Sequence, residues 1–220
     1  NGAWAHPTLA DNINPDGSAG CPQVAMDDNG NAIIVWHQYE GPVSQIFKSE
    51  YKNGAWAHPA SLADNISPDG YMAADADVAM DDNGNAIIVW HQYEGPVSQI
   101  FKSEYRSGAW AHPADITDKI SLDGLSASPP KAAMDNNGNA IIVWEHDGVA
   151  GITAESIFKS EYRNGSWTHP ASFDDRLNPD GDSASALVPG VAMGDCGNAI
   201  IIWQQYLGKG GHGIFKSEYR

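Results

Sequence analysis

Short apolar stretches alternate with polar turns along the whole chain, and the alternation itself repeats. The run NGNAIIVWHQYEGPVSQIFKSEY at residues 29–51 returns unchanged at residues 83–105. It comes back with changes as NNGNAIIVWEHD from Asn136 and DCGNAIIIWQQY from Asp195. Aligned on GAW and its variant GSW, the units place Trp4, Trp56, Trp110 and Trp167 in register, at spacings of 52, 54 and 57 residues. A period near 50 residues is the mark of propeller blades and similar arrays.

Within a unit the pattern predicts four short strands: PQVAM, NAIIVWHQ, QIFKSEY and GAWAHPASL. All are rich in β-branched and aromatic residues. Asn29-Gly30 and Asn53-Gly54, like Asn83-Gly84 and Asn137-Gly138, are pairs that tolerate positive φ at both turn centres. They join the first strand to the second and the third to the fourth. No segment sustains a 3.6-residue period, so helices are not expected.

The expected fold is therefore all-β: one domain over residues 1–220, a four-bladed β-propeller of four-stranded antiparallel blades. The second strand is apolar on both faces, as suits a sheet sandwiched between neighbours, and Trp36, Trp90, Trp144 and Trp203 are assigned to inter-blade packing. The chain begins with a fourth-strand segment, GAWAHP, and ends with a third, IFKSEYR. Closure of the ring by a blade shared between the N- and C-termini follows as an expectation. The same split blade suits a structural alternative, in which chains exchange strands to give oligomers or filaments. A third reading makes the four blades part of a larger propeller.

Composition narrows the partners. The 220 residues carry a formal net charge of -16, which repels a phosphate backbone, so no nucleic-acid partner is expected. No apolar run approaches the roughly 20 residues a membrane helix needs, so membrane insertion is not expected either. The start NGAWAHPTLA, with neither an initiator Met nor a leader, suggests a mature exported form or an excised segment. Cys21 and Cys196 fall at opposite rims in the repeat alignment. A disulfide needs Cα atoms within about 7 Å, so two unpaired thiols are expected.

PQVAMDDNGNAIIVWHQ followed by IFKSEYRNGAW resembles a repeat of exported, mostly uncharacterised bacterial proteins often described as propeller-like, and the match covers the whole chain. The resemblance implies an extracellular or cell-surface protein and brings no catalytic residues. A weaker likeness is to the Asp-box hairpin of sialidase-type propellers, with Asp28, Gly30 and Ala32 on its Asp, Gly and Thr positions, but Met26 and Ile33 in place of its Ser and Trp. That family also needs an arginine cluster, and this chain has only Arg106, Arg163, Arg176 and Arg220. The expectation is a non-enzymatic binding module.

Turns after the first and third strands share one nearly constant rim, whereas the connections after the second and fourth strands vary. Recognition usually sits on variable loops over a rigid frame. The candidate ligand-binding residues on that rim are His37, Gln38, Tyr39 and Glu40, their copies His91, Gln92, Tyr93 and Glu94, and the diverged Glu145, His146, Asp147, Gln204, Gln205 and Tyr206. Aromatic, amide and carboxylate groups together stack on sugar rings and bond their hydroxyls, which points to a lectin-like role toward a glycan or cell-surface ligand.

Asp27, Asp81 and Asp135 end the innermost strands and are candidates to ring a central channel, where calcium or another cation would offset their repulsion. His6, His58, His112 and His169 sit on outer strands and cannot converge on one ion. Asp16, Asp69, Asp123 and Asp180 precede glycines as turn formers.

Overall fold

A computed structural model describes residues 3, 5–148, 154–179, 185–208 and 210–220, with the side chain of Glu40 outside the description. Trp4 and Asp180 therefore lie outside the described residues. The chain forms four antiparallel sheets in sequence order. The first holds β1 (Ala19–Met26), β2 (Ala32–Glu40), β3 (Val43–Lys52) and β4 (Ala55–Ala57), each strand paired with the next. The second holds β5 (Ala73–Met80), β6 (Ala86–Glu94), β7 (Val97–Arg106) and β8 (Ala109–Ala111), and the third β9 (Lys131–Met134), β10 (Ala140–His146), β11 (Ser156–Arg163) and β12 (Ser166–Thr168). The fourth has three strands, β13 (Ala186–Met193), β14 (Ala199–Tyr206) and β15 (His212–Tyr219). Strands β1, β5, β9 and β13 touch in succession, so the first strand of every sheet faces a common axis.

Period-two alternation along the second strands explains the stacking. Ile33, Val35 and Ile46 of the first sheet pack against Val78, Ile88 and Trp90 of the second. The opposite face of the second sheet, Ile87, Val89 and Ile100, meets Ile142, Trp144 and Phe158 of the third. Ile141, Val143 and Ile157 then meet Ile201 and Trp203 of the fourth. Each buried side chain of this kind contributes about 1.5–3 kcal/mol. Trp90, Trp144 and Trp203 thus sit between blades, whereas Trp36 lies on the outer face of the first sheet, and each of the four is stacked on the phenylalanine opposite it in its own sheet, at 6.2 Å for Trp36 and Phe47.

Polar latches repeat at each junction. Asn29 Nδ2 donates to the Asp82 carbonyl at 2.7 Å, Asn83 to Asn136 at 2.8 Å and Asn137 to Asp195 at 3.0 Å. Arg106 lies 3.8 Å over the Tyr162 ring and donates to the Gly138 carbonyl, and Arg163 does the same with Tyr219 and Gly197. Connecting segments are pinned to the blade before, through Ile66 N to the Ile46 carbonyl and Ile120 N to the Ile100 carbonyl, both at 2.8 Å.

Three expectations need correction. The fourth strand of a unit is only three residues long, because Pro59, Pro113 and Pro170 follow it and remove a backbone donor. After each fourth-strand segment comes a 3₁₀ turn closed by a capping box, such as Ser61 with Asp64 and Asp115 with Asp118. Among the described residues closure by a shared blade is not seen, and Trp4 of the segment expected to close it lies outside them. Residues 5–8 hold no strand, and among the described residues β15 pairs only with β14.

Among the described residues the outward faces of the first and last sheets are left uncovered. Ile200, Ile202 and Ile214 repeat the positions of Ile33, Val35 and Ile46, yet Ile214 is 76% exposed where Ile46 is 0%. At the other end Val24 is 63% exposed where its counterpart Val78 is 8%.

Candidate functional site

The residues expected to bind a ligand separate by strand parity. Gln38, Gln92 and Gln205 share a face with the blade tryptophans and are buried. Trp36 Nε1 donates to Gln38 Oε1 at 3.2 Å, Trp90 to Gln92 at 3.1 Å and Trp203 to Gln205 at 3.0 Å. The Gln38 and Gln92 amides then donate to the Pro15 and Pro68 carbonyls at 2.8 and 2.6 Å, tying each connecting loop to its blade. These glutamines are structural, which corrects their placement on the rim. His146 takes the same buried position in the third sheet and packs on Phe158, leaving Trp144 Nε1 without a hydrogen-bond partner.

His37, His91, Glu145 and Gln204 occupy one equivalent position on the other face, which in the first three sheets is directed at the next blade. What they meet is set by the first strand of that blade. Aligned as AGCPQVAM, AADADVAM, ASPPKAAM and ALVPGVAM, the first strands carry a different residue in every copy at three positions, one of which holds Cys21, Asp75, Pro129 and Val188. Cys21, Asp75 and Val188 have φ of 52°, 49° and 53°, and the ladder slips at each. These are β-bulges, which re-aim one side chain out of the pleat.

The first junction gathers reactive groups as a result. Cys21 Sγ, a ring nitrogen of His37 and a carboxylate oxygen of Asp75 all lie within 4.8 Å of one another. His91 Nδ1 stands 3.9 Å from the Asp75 carboxylate. Nδ1 of His37 and of His91 are both buried with no hydrogen-bond partner. Burial pushes the His91 imidazole below its usual pKa, against the pull of Asp75, so the ring is neutral at pH 7. Desolvation, and then the hydrogen bond to Asp75, raise the Cys21 thiol. Gly20 leaves room for this, since a Cβ there would lie 3.0 Å from His37 Nε2.

Above the cluster Tyr39 and Tyr93 are half-exposed, each edge-on to its own histidine at 6.2 and 5.9 Å. Glu145 accepts from Val188 N at 3.2 Å and Ser128 Oγ at 3.3 Å, and burial holds its carboxyl above the usual range. Glu94 pairs with Lys119, while Asp147 is exposed. Gln204 is half-buried, and the Tyr206 hydroxyl accepts from Gly210 N at 3.2 Å. Cys21 and Asp75 escaped the sequence reading because a bulge has no local signature. This position does vary among the copies, but the positions of Gly20 and Gln23 vary as much and hide it.

The three aspartates expected to ring a channel do something else. Asp27 accepts from Asn31 N and Nδ2 at 2.8 and 2.7 Å, and Asp81 and Asp135 close their own hairpins in the same way through Asn85 and Asn139. Their carboxylates are consumed by the turns, and among the described residues they do not come together as a ligand set. The histidines of the outer strands bond locally, His58 to Ser49, His112 to Ser103 and His169 to Ser160, at 2.8–2.9 Å. Both cysteines are free and exposed.

Four blade-like sheets stacked around an axis, with a cluster at one axial end, define a propeller-like class of protein. No family model matches the sequence, and no curated protein matches it. Solved structures do. A Hadza microbial sialidase aligns with a TM-score of 0.56 at 11% identity, over 91% of this chain and 44% of its own. A protein of unknown function from Dyadobacter fermentans aligns with 0.60 at 12%, over 93% and 67%, and the polysaccharide lyase ulvan lyase with 0.59 at 12%, over 90% and 52%. The chain thus spans about half the length of the two enzymes. At these identities the likeness is one of fold. It nevertheless overturns the expectation of a non-enzymatic protein, which rested on one family's missing arginines, because the same fold carries a sialidase and a polysaccharide lyase.

Proposed function

We propose that the chain recognises carbohydrate at the axial end of its variable rim. The observation that carries this reading is the pair Tyr39 and Tyr93, half-exposed rings at equivalent positions of adjacent blades, standing over His37, Asp75 and His91. An exposed ring offers a stacking face, and the groups beneath supply donors and acceptors for hydroxyls. The net charge of -16 selects neutral over anionic glycans. The fold shared with carbohydrate-active proteins supports the class of ligand, and the resemblance to exported repeats supports an extracellular one. The test is calorimetry on a panel of neutral and acidic polysaccharides, with product formation followed in the same samples. Tyr39→Ala with Tyr93→Ala is expected to weaken binding of a neutral glycan about 10-fold or more, since a stacked aromatic contributes about 1–3 kcal/mol. Trp56→Ala, an equally exposed ring away from the site, leaves it unchanged. Equal loss in both variants, or no binding across the panel, overturns the reading.

A second reading rests on the open ends. Most of what one blade uses to hold the next is present again on the last sheet: Ile200, Ile202 and Ile214 for packing, Glu218 where Glu50 and Glu104 accept tryptophan N–H groups, and Arg220 where Arg106 and Arg163 cover tyrosines. The first sheet offers the matching partners Val24, Met26, Tyr51 and Trp56. We infer head-to-tail association, the fourth blade of one copy taking the first blade of another. Light scattering over a wide concentration range reads this directly. Growth beyond 23.5 kDa supports association, and a constant 23.5 kDa assigns these faces to further blades of a longer polypeptide instead.

A further inference from the structure

The cluster at the first blade junction has the chemistry of a metal site. Thiolate, imidazole and carboxylate are the donors that tetrahedral zinc takes. Such an ion brings its donors to about 3.3–3.8 Å from one another, as follows from bond lengths of about 2.0–2.3 Å. Donor atoms of Cys21, His37 and Asp75 already lie within 4.8 Å, so closing on an ion needs movement of about an ångström at side-chain ends. His91, 8% exposed and with Nδ1 3.9 Å from Asp75, stands next to them.

The apo arrangement is poorly satisfied, which is the independent observation. Nδ1 of His37 and Nδ1 of His91 are buried with no hydrogen-bond partner, an unfavourable state for a polar atom out of water. Trp144 Nε1 and His146 Nε2 of the third blade share that state, but among the described residues only the histidines of the first junction stand beside a cluster of ligating groups. The other junctions differ. Glu145 of the third blade finds ordinary donors in Val188 N and Ser128 Oγ, and no thiol or imidazole stands at the equivalent positions Pro129 and Val188. The set is therefore not a by-product of the repeat. It depends on Cys21 and Asp75, bulge residues of adjacent blades whose ligating atoms meet at His37.

We propose that Cys21, His37 and Asp75, with His91 as the fourth ligand, bind one divalent transition-metal ion of the zinc class between the first and second blades. The inference stands apart from carbohydrate recognition, since metal uptake is measured without glycan.

The test uses the full chain stripped with a chelator and titrated with zinc against a competing dye, and with cobalt(II) followed by absorption. One ion per chain is expected, with tetrahedral ligand-field bands and a thiolate-to-cobalt charge-transfer band. Cys21→Ser removes the charge-transfer band, while Cys196→Ser keeps it. Asp75→Asn and His91→Gln weaken zinc binding by at least the roughly 10- to 100-fold that even an outer partner of a metal site costs. Because Cys21 is exposed, its serine variant is expected to fold, and circular dichroism of each variant verifies this. A wild-type chain that retains no ion, or a cobalt spectrum unchanged by Cys21→Ser, overturns the proposal.

Discussion

Gln92 is buried between Trp90 Nε1, which donates to it at 3.1 Å, and the Pro68 carbonyl, to which it donates at 2.6 Å. In the third blade His146 stands at that position, and Trp144 Nε1 is left without a partner. The two blades are a natural mutant pair. Gln92→Leu strands a buried donor and a buried carbonyl and is expected to cost about 1–3 kcal/mol for each. His146→Gln restores the acceptor and is expected to stabilise by about 0.5–1.5 kcal/mol. Urea midpoints of both variants check the two signs. At this scale the sequence was half legible. Asn-Gly turns and tryptophan packing could be read from local rules, but an amide beside exposed-looking Tyr93 reads as a rim residue. Strand parity places Gln92 with Trp90 and His91 with Val89, and only a fixed register says which of those faces is covered.

Junctions between elements carry their own electrostatics. Glu104 of β7 holds Lys102 and Arg106 and accepts from Trp167 Nε1 at 2.7 Å across the blade boundary. Burial pushes its carboxyl up, but these three partners outweigh burial and hold it below the usual range. A folded pKa below the unfolded value of about 4.3 means stability present above that pH and lost as pH falls through the folded pKa. The histidines act in a higher window. His91, His112, His146 and His169 are held below their usual value, chiefly by burial, so protons favour the unfolded chain as pH falls below about 6.5. Urea midpoints are therefore expected to decline first between about pH 6.5 and 5, then again below about pH 4. Glu104→Gln lowers the midpoint at pH 7 and removes part of the second decline. A variant with the full acid slope contradicts the role of this latch.

For the whole molecule the deciding feature is the pair of open faces. Inside the array the first-blade pattern of Ile33, Val35 and Ile46 is covered, and at the fourth blade the same pattern is bare. Ile200→Asp with Ile214→Asp is expected to hold the chain at 23.5 kDa at every concentration at which the parent grows, without loss of native fold, since these side chains contact no neighbouring blade. Cys196 stands where Asn29, Asn83 and Asn137 donate to the next blade, so a contact made by the fourth blade lacks that hydrogen bond. Cys196→Asn is accordingly expected to strengthen association, readable as a shift of the mass curve to lower concentration.

The sequence by itself determined the repeat, the strand order within a blade and the turns, because all three are governed by residues near one another in the chain: period-two apolar runs, Asn-Gly pairs and prolines. Tertiary structure alone decided three further matters. Among the described residues it leaves the faces of the first and last sheets uncovered, since closure depends on how blades accumulate around the axis and no single repeat encodes that sum. It turned Asp27, Asp81 and Asp135 into hairpin caps, through hydrogen bonds to side chains four residues on. It also brought Cys21, His37, Asp75 and His91 together from two blades, through bulges whose positive φ at non-glycine residues is held by the packing around them and not by the local sequence.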